Sequence, residues 1–189
     1  MNITYYKCLP KNNYEYSNYL LQAVLPEDIE KIRQWRNDQM TILRQSKSIS
    51  KKEQITYYEK HVWPEMIKNY PDKILLSIRY DGKLLGYGGL VNISWETFNG
   101  EISFLLDTEI ANTKKDYNEL FPLFLLNIKN IAFHDLSLTR IYGELYSIRP
   151  KYVEVFENLG FKLENVIKSQ TIINDKPIDS LVYSISNTN

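Results

Sequence analysis

Two turn-forming dipeptides, Asp81-Gly82 and Asn99-Gly100, do most to limit what this chain can fold into. Tight hairpin turns need φ > 0, which glycine adopts freely and Asn or Asp tolerates, and each such turn joins antiparallel neighbours. The two dipeptides separate three runs rich in apolar and β-branched residues, at 74–80, 84–93 and 101–106. The reading is three consecutive antiparallel strands in the middle of the chain. Gly86, Gly88 and Gly89 lie inside the second run and mark a bulge or a close backbone approach.

Helix signals flank these hairpins. Residues 19–24 read as a first strand. Pro26-Glu27-Asp28 then opens a helix, because proline suits the first turn and acids complement the positive helix end. Ser50 and Glu53 have the spacing of a capping box, starting a helix that runs to about Lys68 and bends at Pro64. After the hairpins, 120–133 reads as a helix with Pro122 in its first turn, and 140–146 as a strand. Residues 150–159 read as a short helix stopped by Gly160, and 161–173 and 178–185 as a closing hairpin. The order β-α-α-β-β-β-α-β-α-β-β gives an α/β fold with a sheet of mixed direction. Residues 1–19 read as an N-terminal extension or a first irregular segment, and 20–186 as a single domain.

Composition narrows the function. The chain has 189 residues, 43% of them apolar and 24% charged, as in an ordinary globular domain. Lys+Arg and Asp+Glu both number 23, and this zero balance argues against nucleic acid as a partner. Cys8 is the only cysteine, so no internal disulfide forms and a reducing compartment fits. The first six residues lack a basic and apolar leader, and the longest apolar run, 120–128, is too short to span a bilayer. A cytoplasmic location without a membrane partner is the expectation. His61 and His134 have no partner at metal-ligand spacing, so no metal is expected.

Four stretches carry a family resemblance. They are 26–38, which ends in Trp35-Arg36-Asn37-Asp38; Gly82-Lys83-Leu84-Leu85-Gly86-Tyr87-Gly88-Gly89-Leu90; Gly100-Glu101-Ile102-Ser103-Phe104-Leu105-Leu106-Asp107; and Phe156-Glu157-Asn158-Leu159-Gly160-Phe161-Lys162. With the tail at 173–184, their order resembles the GNAT superfamily of acyl-CoA-dependent N-acyltransferases over about residues 20–185. The likeness is to the branch of ribosomal-protein alanine and amino-sugar acetyltransferases. It implies a mostly antiparallel sheet flanked by helices and acetyl-CoA as co-substrate. It also implies direct transfer to a primary amine of an amino sugar, a small amine or a protein N-terminus, and a homodimer through the last strands.

One segment departs from the family. The superfamily's signature there is roughly R-x-x-G-x-G/A, whose bare backbone N–H groups hold the CoA pyrophosphate. This chain has only 7 glycines, none between Gly100 and Gly143. Ala111 stands for the Arg, and Asn112 and Lys114 for glycines. Two readings are open. Lys114 and Lys115 hold phosphates directly, with Asn112 in the left-handed conformation; or the loop no longer binds CoA. The second reading makes the chain a non-catalytic binding domain of the same fold. A user of another acyl donor is the further alternative.

The resemblance also supplies candidate roles. Glu101 is the candidate base that neutralises the amine, and the backbone of Phe104, Leu105 and Leu106 pairs with pantetheine. Phe156 stands where many members place a proton-donating tyrosine, which leaves Ser147, or its rival Tyr146, to protonate the thiolate. Arg149 meets a CoA phosphate or faces solvent, and Tyr152 stacks on the cofactor or blocks it. Trp35, Arg36 and Trp95 are acceptor-pocket candidates. Against that, Trp35 suits a core position and Arg36 suits a helix C-terminus.

Overall fold

A computed structural model describes residues 4–43, 45–111 and 114–187, and side chains there except those of 114–118. The strands are β1 (Asn13–Tyr16), β2 (Tyr19–Ala23), β3 (Ile74–Tyr80), β4 (Lys83–Ser94), β5 (Asn99–Leu106), β6 (Arg140–Tyr146), β7 (Lys162–Ile173) and β8 (Lys176–Ser186). The helices are α1 (Ile29–Asp38), α2 (Lys51–His61), α3 (Thr108–Ala111), α4 (Lys114–Asn130) and α5 (Pro150–Asn158). The described strands form one sheet in the order β1-β2-β3-β4-β5-β6-β8-β7. Every neighbouring pair is antiparallel except β5 and β6, which α4 connects in parallel. No described helix is long and apolar enough to cross a membrane.

Local chemistry sets these elements. Asp81 and Gly82 both have φ > 0, as a two-residue hairpin turn requires, and so do Asn174 and Asp175 in the closing hairpin. Ser50 Oγ accepts from the Glu53 N–H while Glu53 Oε2 accepts from the Ser50 N–H, so the capping box starts α2. Helix α2 ends at His61, and Pro64 lies in a separate 3₁₀ segment, Trp63–Ile67. Gly160 (φ +86°) follows α5 in the left-handed conformation. The opening segment contributes β1, and Tyr6 is fully buried, its hydroxyl accepting from the Leu75 N–H at 2.9 Å.

Besides the helix expected to run to Lys68, which ends at His61, two further expectations are corrected. Asn99-Gly100 is not the second turn, because β4 continues to Ser94, which pairs with Asn99, and the reversal occurs at 95–98 with Phe98 at φ +51°. Gly100 is instead a buried strand position packed among Leu90, Ile93 and Leu138. Pro122 is not in a first turn: α4 begins at Lys114 and carries the proline inside it. The lost backbone bond, on the order of 3 kcal/mol, is offset by burial of Leu120, Phe121, Phe124, Leu125 and Ile128 on one helix face.

The sheet has two differently covered faces. On one side α4 packs Phe121, Phe124 and Ile128 against Leu76, Ile78, Leu90 and Leu106. On the other, α1 and α2 pack Ile32, Trp35 and Tyr58 against Leu75, Leu84, Tyr87 and Leu105. Alternation along β3 feeds both layers, so its residues from 74 to 78 are all buried.

Candidate active site

The site begins where the sheet comes apart. Strands β5 and β6 pair only over three residues, Asn99↔Arg140, Gly100↔Ile141 and Glu101↔Tyr142. Beyond that point β5 keeps β4 as its partner and β6 keeps β8, while no β5–β6 pairing continues. Residues 102–106 thus offer β6 an unpaired strand edge, as a wedge opening within the sheet. Backbone N–H and C=O groups on such an edge seek a partner, and an extended amide-bearing chain can supply one.

A cavity of about 180 Å³ lies in this wedge, lined by Glu101, Ser103, Phe104, Glu144, Tyr146 and Arg149 among others. Glu101 is 5% exposed, and its Oε2 accepts from Asn92 Nδ2 at 2.8 Å. Asn92 is placed for this by a bulge: the β4–β5 register shifts between Val91 and Ser94, and Asn92 itself has φ +49°. Asparagine tolerates that conformation, and a bulge re-aims the side chain it carries. Glu144 accepts from the fully buried Ser180 Oγ at 2.5 Å. Parallel register explains the two acids together. Glu101 pairs with Tyr142, and Glu144, two residues on, faces the same side of the sheet.

Cationic and hydroxyl groups complete the wedge. Arg149 precedes α5 and lays its guanidinium over the Tyr152 ring, 3.3 Å from the centroid. Among the described residues it has no acid partner. Burial lowers its pKa to about 9, because a desolvated cation without a counter-charge is disfavoured. Tyr146 is buried and lines the cavity.

A second cavity, about 470 Å³, abuts the first and shares Val91, Asn92 and Ser103 with it. It lies beneath α1 and α2. Arg36 of α1 donates from Nε to Gln45 at 3.1 Å and from Nη1 to the Tyr87 hydroxyl at 2.9 Å. Tyr87 raises the Arg36 pKa, against the opposing effect of burial.

The residues singled out from sequence separate into groups. Glu101, Phe104, Arg149 and, one layer away, Tyr152 gather at the wedge, and Arg36 lies in the adjoining cavity. Leu105 and Leu106 point into the two opposite apolar layers, so only their backbone can serve a ligand. Tyr152 packs on Phe121 at 4.4 Å and on Phe104 at 6.5 Å, closing the α4 side of the wedge with aromatic rings. Trp35 is a core residue, 3% exposed. Trp95 donates to the Pro71 carbonyl and stacks on Tyr70; it lines neither cavity. Ser147 is exposed and lines neither, its N–H spent on the Asp179 carbonyl. Phe156 packs against the bare Cα of Gly143, where an added Cβ would stand 2.6 Å from its ring. Asn112 lies outside the described residues, and Lys114 and Lys115 are described only as the backbone opening α4.

Of the glycine-free segment, 108–111 form α3 and the residues from Lys114 on open α4. Ala111 N–H donates to the Asp107 carbonyl and Glu109 N–H to the Asp107 carboxylate. These two backbone donors are therefore spent on Asp107. Sequence reasoning passed over Glu144, Asn92 and Ser180. The signal for Glu144 was there in the β5–β6 register, but that register is set by the crossover and cannot be read from either strand alone. Among the described residues no group of three or more His, Cys, Asp or Glu could hold a metal.

Comparison with known proteins gives a consistent result. Residues 21–182 match the family model of the acetyltransferase (GNAT) domain. No curated protein matches the chain. Among solved structures, the spermidine N-acetyltransferase of Vibrio cholerae in complex with CoA and spermine is 20% identical with a TM-score of 0.76, over 90% of this chain and 96% of that one. The dodecameric form of that enzyme in an intermediate state is 20% identical with a TM-score of 0.76, over 90% and 95%. At that identity the likeness is one of fold, and it does not single out the ribosomal-protein alanine branch.

Proposed function

The chain belongs to the GNAT acetyltransferase family, and from that premise we propose how its wedge residues divide the work of acetyl transfer. The family's reaction moves an acetyl group from acetyl-CoA to a primary amine. The amine nitrogen attacks the thioester carbonyl, a C–N bond forms, and the C–S bond breaks. The ammonium proton must leave before attack, and the thiolate must be protonated or otherwise stabilised. Glu101, fixed by Asn92, takes the amine proton directly or through water. Tyr146, which lines the same cavity, donates to the thiolate in place of the tyrosine that Phe156 does not provide.

The wedge fits the acyl-CoA substrate at its reacting end. About 180 Å³ suits an acetyl thioester rather than a whole pantetheine arm, which lies along the unpaired β5 edge. Arg149, a cation without an acid partner, is the group best placed to meet the cofactor's polar or anionic portion. Self-association belongs to the same reading. It is supported by the dodecameric relative and by the β7 edge, where Leu163 and Ile172 face solvent.

The observation that carries this assignment is the three-residue limit of β5–β6 pairing, with Glu101 at the fork. Thiol release from acetyl-CoA in the presence of a panel of primary amines tests it. Amine-dependent release that Tyr146→Phe slows and Ser147→Ala does not is the expected outcome. Release that follows Ser147 instead removes Tyr146 from the proposal.

A further inference from the structure

The second cavity carries a charge pattern that bears on the acceptor. It contains three cations, Arg36, Lys47 and Lys73, and one acid, Glu53. Glu53 is already committed. It accepts from Lys47 Nζ at 3.0 Å and holds both the N–H and hydroxyl of Ser50 in the capping box. Arg36 makes hydrogen bonds only to neutral groups, Gln45 and Tyr87, and its Nη2 has no partner among the described residues. Among the described residues Lys73 reaches only Tyr57, with its ammonium 5.4 Å from the ring centroid and 3.5 Å from the hydroxyl. Two positive charges therefore line this cavity without a counter-ion among the described residues.

A second, independent observation points to a ligand at the same place. Tyr58 is 1% exposed, lines this cavity, and its hydroxyl is a buried polar group with no hydrogen-bond partner among the described residues. Buried hydroxyls are normally satisfied, and leaving one unmade costs about 1–3 kcal/mol. A donor held without an acceptor, beside cations held without an anion, describes the receiving half of an anion site.

The other end of the joined space has the opposite character. Asn92 and Ser103 line both cavities, and Asn92 holds the Glu101 carboxylate on the wedge side. An acceptor lying across the boundary would place its amine by Glu101 and its far end by Arg36. We propose that the acceptor is a primary amine that also bears an anionic group, a carboxylate or a phosphate, received by Arg36, Lys73 and the Tyr58 hydroxyl. This rests on the acetyltransferase reading above and narrows its substrate class. It also separates this chain from its structural relative crystallised with spermine, a polycation. A second ammonium placed beside Arg36 and Lys73 would be repelled.

Matched acceptor pairs test the inference. Cadaverine and 5-aminovalerate share a five-carbon chain and differ in an aminomethyl or a carboxylate far end, and glucosamine and glucosamine 6-phosphate differ only in the phosphate. With saturating acetyl-CoA, the anion-bearing member of at least one pair is expected to show a kcat/KM about tenfold or more above its partner. Which pair responds separates carboxylate from phosphate. Arg36→Gln is expected to shrink that ratio to within about twofold. Calorimetric binding of 5-aminovalerate, glucosamine 6-phosphate and cadaverine in the presence of CoA gives a readout independent of turnover, with the same order expected. Tight acetyl-CoA binding with cadaverine as the better acceptor, or a ratio unmoved by Arg36→Gln, overturns the inference and leaves the acetyltransferase reading standing. Failure to bind acetyl-CoA at all overturns both.

Discussion

The α4 side of the sheet and the α1–α2 side are built from the same strands and hold opposite contents. On the α4 side, Phe104, Phe121 and Phe124 stack with centroids 4.6 Å apart, and Gly88 gives up its side chain so that Phe124 and the Ser103 carbonyl can approach. On the other side, the same strands present Glu101, Asn92, Ser103 and Tyr87 to two adjoining cavities. The difference teaches a division of labour. One face supplies stability through dispersion and burial, and it lets the other keep charged groups that cost stability and that the proposed reaction draws on.

The strongest way to break this comparison is to mutate the packed face. Phe124→Ala, at a fully buried position, should cost about 3–5 kcal/mol and lower Tm steeply in thermal denaturation. A loss below about 1 kcal/mol would show that the α4 layer is not the main source of stability. Next comes the open face. Glu101→Gln keeps the shape and the Asn92 neighbour, so it should reduce kcat by about 100-fold or more while leaving Tm within a few degrees. Equal kcat in the variant would remove Glu101 from the role of base.

Gly143→Ala probes the boundary of the two. The new methyl would meet the Phe156 ring at 2.6 Å and should destabilise the fold by about 1–3 kcal/mol through overpacking. Gly143→Ala with restored stability in a Phe156→Leu background would locate the clash at that ring. The smallest effect is expected at the surface. Two hydrogen bonds from Arg33 hold the Glu30 carboxylate down to about 2. A lowered pKa means the stabilisation is present above the ordinary carboxylate range near 4.5 and is lost as pH falls toward 2. The pair lies at the surface and is partly exposed, so Glu30→Gln should cost less than about 1 kcal/mol at pH 7 and nothing measurable at pH 2, by urea denaturation at both.

How far the sequence foretold this molecule depends on the range of the interactions concerned. Turns and caps that close within a few residues were legible: Asp81-Gly82, Ser50 with Glu53, and Gly160 all act as their chemistry dictates. Asn99-Gly100 misled because a turn dipeptide is only a local preference, and strand pairing with Ser94 together with packing under Leu90 and Ile93 overrides it. Pro122 misled for the same reason, since the buried face of α4 outweighs one missing hydrogen bond. In the site, Glu101 and Arg149 could be placed by likeness, because each sits at a strand or helix end that the family wording marks. Glu144, Ser180 and the unpartnered Tyr58 hydroxyl could not. Their significance depends on β6, β8 and α2 meeting the two adjoining cavities from distant parts of the chain. Trp95 shows the converse: an aromatic residue next to the hairpin turn that is spent on bracing Pro71.

The central claim is that acetyl-CoA enters where β5 and β6 separate, and amide hydrogen exchange tests it most directly. At acetyl-CoA concentrations that saturate binding by calorimetry, exchange should slow in residues 102–106 and 143–146, with little change in the buried α4 layer. Saturated binding with unaltered exchange in both segments, or protection confined to another part of the sheet, would contradict the account.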